Sequence, residues 1–289
     1  MIDLIKKEWL EERKTYLGGT DIASICGTTP QWRTAYDIFL EKTSKQVVPR
    51  VINEAMEIGI LLEPFIVELY YRRTKHPVIQ CDEIIRHSEY DFLAANIDRW
   101  VAPAEGKKFV LECKSSKLCR KKEWGEPGTS QIPLKYLLQV AWYSLICKVE
   151  KVDIALLMDN SFYIYEYLKN EELEKNILKL GIHFWKNHVL KNIPPSPKTH
   201  NDLDQLYYNS LEKKIICNED IRLEWSILKD LKNKVESFSK KIDDSSFKIK
   251  DFMKANDVLV DANGEILATW KKNKRNNRVF LVKNGDKDE

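Results

Sequence analysis

Two carboxylates and a lysine stand close together in one stretch of the chain. Asp98 follows the apolar run 92–97, and Glu112 and Lys114 end a second run that begins at Phe109. Apolar runs of this length, bounded by turn residues, predict buried strands, and alternation puts Glu112 and Lys114 on one face. Two carboxylates and one lysine converging across a hairpin can hold Mg²⁺ against a phosphate. The alternative is a structural ion pair.

Three more polar side chains lie within predicted helices. Glu63 stands among apolar residues in a predicted helix over residues 51–74, where a buried carboxylate should be paired or bound to a cation. Gln139 and Tyr143 lie four positions apart on one face of a predicted helix over residues 134–148. Taken alone, these two residues indicate only a satisfied polar pair.

A glycine turn and a basic cluster are candidate phosphate-binding features. The segment Gly18-Gly19-Thr20-Asp21 breaks one helix and can begin another, with its threonine or aspartate as N-cap. Exposed N–H groups at a helix start can bind phosphate, although an ordinary helix–helix connector is the alternative. Lys117, Arg120 and Lys121 follow the second apolar run. They can follow a phosphate backbone or form a solvated charged face.

The composition limits the class of protein. A hydrophobic fraction of 43% with 8 Trp supports a packed core rather than disorder, and the net charge is only +3 over 289 residues. No stretch approaches the roughly 18 apolar residues of a membrane helix, and no early apolar run follows a basic segment as a secretory signal would require. The six Cys are dispersed without a Cys-x-x-Cys pair, which argues against a zinc or iron–sulfur site. We therefore expect a soluble intracellular protein.

The predicted elements fall into two parts. Helices and short strands continue to a helix over residues 170–192, which Pro194-Pro195-Ser196-Pro197 ends. We predict a domain over residues 1–193 and an appendage over residues 198–289. In the appendage, apolar residues recur every three or four positions from Ile221 to Ile242, which predicts a helix with one apolar seam, packed within the chain or against another chain. A later Asn-Gly turn predicts a β-hairpin.

The order of these features resembles the PD-(D/E)xK nuclease core: a helix with Glu63, a strand with Asp98, a strand ending in Glu112-Cys113-Lys114 and a helix with Gln139-x-x-x-Tyr143. Shorter motifs resemble its lambda-exonuclease-like branch, the YqaJ-type viral recombinases. These motifs are Trp9-x-x-x-Arg13, Gly18-Gly19-Thr20-Asp21, Gly59-x-x-x-Glu63-Pro64, Trp124-Gly125-Glu126 and Leu138-Gln139-Val140. The resemblance covers roughly residues 9–192. It implies an α/β (α+β) fold with a restriction-endonuclease-like core, in which helices flank a mixed central sheet, plus a C-terminal helical arm and β-hairpin.

The resemblance also implies a function. A 5′→3′ exonuclease would degrade one strand of linear double-stranded DNA and leave a 3′ overhang for recombination by a single-strand annealing partner. The implied ligands of Mg²⁺ or Mn²⁺ are Asp98, Glu112, Glu63 and the main-chain carbonyl of Cys113. In the same family pattern, Lys114 would orient the attacking water and Gln139 would steady the metal or water shell.

The resemblance and the basic cluster together give further expectations about DNA binding. Arg13 and Thr20 match positions that grip the 5′-terminal phosphate, and the candidate DNA contacts are Lys117, Arg120, Lys121 and Tyr143. Related nucleases can close into ring trimers around DNA, which would make this chain a homo-oligomer. The implied location is the cytoplasm of a bacterium or of a phage-infected host cell, away from membranes.

One departure and two alternatives accompany this interpretation. The family commonly has Pro-Asp-Gly at the first carboxylate, whereas this chain has Ile97-Asp98-Arg99, so the turn after Asp98 should differ. A structure-selective or restriction-type endonuclease on the same core is the first alternative. An endonuclease does not need to bind a terminal phosphate, so Arg13 argues against this alternative. A non-catalytic DNA-binding recombination accessory protein is the second, and the complete set of acidic and lysine positions argues against it.

Overall fold

The computed structural model describes residues 7–45 and 53–283. Its helices are α1 (Lys7–Arg13), α2 (Gly19–Ile25), α3 (Ala35–Thr43), α4 (Glu54–Thr74), α5 (Leu134–Cys147), α6 (Glu171–Phe184), α7 (His200–Leu206) and α8 (Glu219–Met253). Its strands are β1 (Val78–Gln80), β2 (Ile85–Arg86), β3 (Ala94–Ala95), β4 (Arg99–Val101), β5 (Phe109–Ser116), β6 (Lys151–Met158), β7 (Ser161–Leu168), β8 (Val258–Val260), β9 (Ile266–Lys272) and β10 (Arg278–Val282). A 3₁₀ helix (Leu118–Glu123) follows β5, and a π-helical turn (Trp185–Val189) follows α6.

A five-stranded mixed sheet forms the centre of the first part of the chain. Its strand order is β1-β4-β5-β6-β7, with β5 and β6 parallel and the other neighbours antiparallel. A parallel pair needs a crossover connection, and α5 lies in the connection between β5 and β6. The predicted mixed sheet with flanking helices is confirmed.

Successive residues of β5 contribute to cores on opposite faces of the sheet. Val110 belongs to the larger apolar cluster, which includes the fully buried Trp142 of α5. Leu111 belongs to a second cluster with Ile66 and Tyr70 of α4. This period-two alternation turns Glu112 toward the α5 face and Cys113 toward the α4 cluster, as the sequence predicts.

The strand beside β5 differs from the prediction. The apolar run 92–97 contains only the two-residue strand β3, which pairs with β2, and the antiparallel neighbour of β5 is β4, which begins just after Asp98. The expectation that the run itself forms the neighbouring strand is therefore wrong. Ala94 and Ala95 are fully buried, and the indole N–H of Trp142 donates a 2.8 Å hydrogen bond to the Ala94 carbonyl, which commits this run to packing under α5.

The chain divides into two compact units, one that ends at Ser210 and one that begins at Leu211. The first unit includes α7, because buried Asp202 accepts hydrogen bonds from the hydroxyls of Thr34 (3.0 Å) and Thr199 (2.8 Å). The division therefore falls after α7 rather than within residues 194–197. The second unit contains α8 and an antiparallel sheet with strand order β10-β9-β8. Among the described helices, none is long and apolar enough to cross a membrane.

Candidate functional site

The carboxylates and the lysine predicted from the sequence meet at the end of β5. Glu112 is only 2% exposed, and its Oε1 forms an ion pair with the Nζ of Lys114, two residues along the same face. Asp98 reaches the same strand from the turn before β4, where its Oδ2 accepts a 2.8 Å hydrogen bond from the Cys113 N–H. The structure thus brings Asp98, Glu112 and Lys114 together.

Helix α5 supplies a second contact to Glu112. The Gln139 side-chain amide donates to Glu112 Oε1 at 2.7 Å and lies 2.8 Å from the Tyr143 hydroxyl. Both side chains are buried, and their spacing of four positions places them one turn apart on α5. Gln139 therefore does more than pair with Tyr143, because it also fixes one oxygen of the buried Glu112 carboxylate.

The other oxygen of Glu112 lacks a protein partner. Its Oε2 is buried and accepts no hydrogen bond from any residue that the structure describes. A buried carboxylate oxygen left unpaired is costly, so such an atom needs an explanation. Hard oxygen donors suit Mg²⁺, and the Oε2 of Glu112 with the nearby carboxylate of Asp98 fits a divalent cation.

Glu63 lies half-buried on α4 and is held by an arginine. Arg99 Nη1 lies 2.7 Å from Glu63 Oε1 and also donates a 2.6 Å hydrogen bond to the Asp98 carbonyl oxygen. The sequence analysis did not predict this role for Arg99. The available signal was that Arg99 stands where the family commonly has glycine. Within residues 7–45 and 53–283, no three His, Cys, Asp or Glu side chains gather as a metal-binding group. Glu63 would have to leave Arg99 to join Asp98 and Glu112.

The proton affinities at the site follow from burial and crowding of charge. Burial, together with the negative charge of Asp98, raises the pKa of Glu112 to about 8, although Lys114 opposes the shift. Burial acts to lower the pKa of Lys114, but the charges of Glu112 and Asp98 outweigh it, so that pKa is raised. Burial and Asp98 also raise the pKa of Glu63. Glu112 thus holds a proton at neutral pH that a bound cation would displace.

Arg13 and Thr20 also lie together. The Arg13 guanidinium at the end of α1 donates to the Thr20 hydroxyl (3.1 Å) and to the carboxylate of Asp21 (2.9 Å). Arg13 is buried, whereas Thr20 is exposed on the first turn of α2. The predicted phosphate-binding pair is therefore adjacent, but Arg13 is already ion-paired.

Asp21 is the centre of a buried charge cluster that the sequence did not reveal. Its oxygens also contact Arg33 Nη1 (2.7 Å) and Lys42 Nζ (3.0 Å). Burial opposes its ionisation, but Arg13, Lys42 and Arg33 together hold the pKa of Asp21 well below its usual range. Glu41 is the other carboxylate that contacts these three cations in the described cluster, so positive charge is in excess. An anion is the expected ligand of such a cluster.

A glycine lets the charge cluster approach the carboxylate site. A Cβ on Gly19 would lie 3.1 Å from the Gln139 carbonyl oxygen and 3.0 Å from the Tyr143 ring. The backbone of α2 therefore packs directly on the face of α5 that carries Gln139. Gln139 therefore lies between the α2 backbone next to Thr20 and the carboxylate of Glu112.

The basic residues after β5 lie on or next to the 3₁₀ helix. Lys117 and Lys121 are exposed and Arg120 is half-buried. The Arg120 guanidinium lies 5.6 Å from the centroid of the Trp32 ring, and Lys121 Nζ lies 5.9 Å from that of Tyr163. The basic cluster predicted from the sequence is thus partly ordered by contacts with aromatic rings.

Comparisons with known proteins add a family match, one relative and two solved structures. Residues 8–150 match the family described as the YqaJ-like viral recombinase domain. The chain is 29% identical over 280 residues to the uncharacterized protein YqaJ of Bacillus subtilis (strain 168), covering 93% of this chain and 84% of that protein. Its fold is similar to that of LHK-Exo in complex with dAMP, with a TM-score of 0.53 and 15% identity over 70% of this chain and 98% of that one. A second structure of LHK-Exo, an alkaline exonuclease from Laribacter hongkongensis, gives a TM-score of 0.53 and 16% identity over 65% of this chain and 94% of that one.

Proposed function

Because residues 8–150 of this chain match the YqaJ-like viral recombinase domain, as the sequence motifs predict, we propose that the chain is a divalent-metal-dependent nuclease. Its substrate would be linear double-stranded DNA, degraded 5′→3′ on one strand. The observation that carries the proposal is the buried, unpartnered Oε2 of Glu112 beside Asp98 and Lys114. The shared fold with LHK-Exo, an alkaline exonuclease, supports a nuclease core.

Mg²⁺ or Mn²⁺ would be held by Asp98, Glu112 and the Cys113 carbonyl, with Glu63 joining once Arg99 releases it. When bound, the metal would stabilise negative charge on the attacking and leaving oxygens of the phosphodiester.

The chain's own side chains orient this chemistry. Gln139 and Lys114 both engage Glu112 Oε1, which leaves Oε2 for the cation. The Lys114 ammonium can also donate a hydrogen bond to the attacking water or to a phosphate oxygen, because it carries three N–H donors.

Selectivity for a 5′-phosphate would come from the cluster around Asp21. Its excess positive charge and the exposed Thr20 hydroxyl suit a terminal phosphate, and Gly19 brings them next to Gln139 at the carboxylate site. A phosphate held there would place the first phosphodiester near Glu112. An endonuclease would gain nothing from this arrangement.

The product would be a 3′ single-stranded overhang, which suits a single-strand annealing partner in phage-type recombination. Assembly into a ring around DNA would add processivity. Both remain parts of the proposal that the family resemblance supports, as does action in the cytoplasm of a bacterial or phage-infected cell.

Digestion of linear duplex DNA with Mg²⁺ tests the function directly. Substrates with 5′-phosphate and 5′-hydroxyl ends are compared with a covalently closed circle. We expect loss of linear DNA, faster from phosphorylated ends, with the circle intact. Cleavage of the circle would establish the endonuclease alternative, and no digestion with any divalent metal would leave a DNA-binding accessory protein.

The phosphate grip has its own test in Thr20→Ala. Thr20 is exposed, so its loss should spare the fold, whereas Arg13 is buried in ion pairs. Losing one hydrogen bond to a charged phosphate should reduce the preference for 5′-phosphate ends roughly tenfold. Thr15→Ala, which removes another exposed hydroxyl, is the matched control. An unchanged preference in Thr20→Ala would place the grip elsewhere.

A further inference from the structure

A cavity of about 570 Å³ lies beside the candidate active site, and of the candidate site residues only Arg120 lines it. It opens between the segment that links α2 to α3, the 3₁₀ helix and the first turn of α5. The side chains that line it include Gln31, Trp32, Arg120, Glu123, Leu134 and Lys135. Its volume falls in the range of about 300–1,000 Å³ that is usual for sites holding one small ligand.

Trp32 dominates this cavity. Its side chain is 62% exposed, and Lys135 Nζ and the Arg120 guanidinium lie 4.5 and 5.6 Å from its ring centroid. An exposed tryptophan alone needs no functional explanation. An exposed indole in a cavity with two cations has the composition of a stacking platform for single-stranded nucleic acid, in which the ring binds a base and the cations bind phosphates.

One aromatic ring connects the cavity to the catalytic lysine proposed above. Lys135 Nζ lies 4.6 Å from the centroid of the Tyr136 ring, and Lys114 Nζ lies 5.3 Å from the same centroid. Tyr136 is held in place by buried Trp124, whose ring stacks on it at 5.4 Å. A strand whose phosphate reaches Lys114 would therefore pass next to Lys135 and Trp32.

We propose that this cavity binds one unpaired nucleotide at the DNA end, with its base stacked on Trp32 and its flanking phosphates on Arg120 and Lys135. The choice of DNA rests on the proposed nuclease function. The nucleotide must be unpaired, because a base within a duplex already has both faces covered by its neighbours. The site would tolerate every sequence, since all four bases offer a π face.

Binding of fluorescent DNA tests the stacking. The probe is a duplex with a two-nucleotide 5′ or 3′ extension that carries 2-aminopurine, and a blunt duplex is the reference. The full chain is used in EDTA so that no metal-dependent cleavage occurs. We expect binding to quench the fluorescence of one extension, as stacking on indole does.

Substitutions assign the quenching to Trp32. Trp32→Ala should abolish it and weaken binding of that extended duplex about tenfold, or about 1.4 kcal/mol, while Trp32→Phe retains most of both effects. The matched control is Trp225→Ala, since Trp225 is 60% exposed and has Lys229 Nζ 5.2 Å from its ring. Parental quenching and affinity in Trp32→Ala, or an equal loss in Trp225→Ala, would overturn the proposal.

The cations have a separate signature. Log affinity falls with log salt, and Arg120→Gln and Lys135→Gln should each make this negative slope shallower by about one, because each substitution removes one phosphate contact. Unchanged slopes would remove these two residues from the site.

The outcome is separable from that of the proposed function. Trp32-dependent quenching in a chain that digests no DNA with any divalent metal would keep the nucleotide site and reject the nuclease. Digestion of linear DNA without Trp32-dependent quenching would keep the nuclease and reject the nucleotide site.

Discussion

Two side chains from different elements hold the same oxygen of Glu112. Lys114 reaches Oε1 along β5, and Gln139 reaches it from α5. The remaining oxygen is thereby left buried and without a hydrogen bond from any residue in the described parts of the chain. A carboxylate that is half satisfied in this way is prepared to bind a cation with its free oxygen, at the cost of an uncompensated polar atom when no cation is present.

Replacing Lys114 separates its chemical role from its structural role. Lys114→Met keeps a long side chain but removes the charge, so cleavage should fall on the order of 10²–10³-fold, as when one donor to developing charge is lost. The measurement is the rate of digestion of linear duplex, with the melting temperature as a check on folding.

Lys151→Met is the matched control for Lys114→Met. Lys151 is also an ion-paired lysine of the central sheet, but its partners are Asp153 and Glu166. The Lys151→Met variant should digest DNA at close to the parental rate. If Lys114→Met, or Asp98→Ala, keeps full activity, the assignment of the site to the end of β5 is wrong.

The raised pKa of Glu112 predicts how metal binding depends on pH. With a pKa of about 8, Glu112 is protonated at lower pH, and a cation must displace that proton. Affinity for Mn²⁺ should therefore rise up to tenfold per pH unit below about 8 and level off above it. Calorimetry in two buffers of different ionisation enthalpy measures both the affinity and the proton released.

Two variants bracket the pH experiment. Glu112→Gln should lose the pH-dependent binding. Glu174→Gln should keep it, because Glu174 is another buried carboxyl with a raised pKa that accepts from the Tyr167 hydroxyl. A pH-independent affinity in the parent chain would show that Glu112 is not the group that a cation deprotonates.

At the scale of elements, helices and strands marked by a long apolar run or a clear turn signal were predictable, whereas β4 was not. The helix α5 and the strands β5, β6 and β7 follow from long apolar runs separated by turn residues. The three-residue strand β4 carries too little pattern to be separated from the run before it. Its position follows from pairing with β5, which only the folded sheet defines.

The same distinction holds within the candidate site. Asp98, Glu112 and Lys114 could be found because their spacing is local and their order resembles a known core. Arg99 and the cluster around Asp21 could not, because their partners lie on other elements. Ion pairs between elements depend on packing and leave no periodic signal in the sequence.

Asp21 joins three helices, and its removal should be strongly destabilising. Asp21→Asn would leave Arg13, Arg33 and Lys42 close together with the partly exposed Glu41 as the remaining carboxylate that they share among the described residues. The expected cost is about 3–5 kcal/mol at pH 7, measured by urea unfolding. Asp91→Asn, at an exposed aspartate, should change little.

The pH dependence of this cost has a defined sign. The folded-state pKa of Asp21 is lowered below its ordinary value of 3.8, so its contribution is present above that pH and is lost as the pH falls. The difference in unfolding free energy between parent and Asp21→Asn should therefore shrink in the acid range. A difference that stays constant from pH 7 into that range would show that the charge of Asp21 is not what stabilises the cluster.

At the scale of the whole molecule, core and site lie in the same unit. Both large apolar clusters and every candidate site residue precede Ser210. In the second unit, the apolar seam of α8 from Ile221 to Ile242 is largely exposed, with Trp225 at 60% and Phe238 at 59%. Whether this seam packs against another chain, as its spacing allows, stays a prediction.

A chain ending at Ser210 tests this division of labour. It keeps its sheet, its two apolar clusters and the ion pairs of the site, so it should fold with a melting temperature within a few degrees of the parent. It should also digest 5′-phosphorylated linear duplex at a rate within about tenfold of the parent, since the residues that stabilise developing charge are all retained.

Two results would contradict that expectation in different ways. A truncated chain that fails to fold would show that residues from Leu211 onward stabilise the first unit. A folded chain whose cleavage falls as far as in Lys114→Met would show that they supply DNA binding or assembly. Sedimentation separates these two roles, because loss of assembly lowers the mass of the particle, whereas loss of a DNA contact leaves the oligomeric state unchanged and weakens only binding.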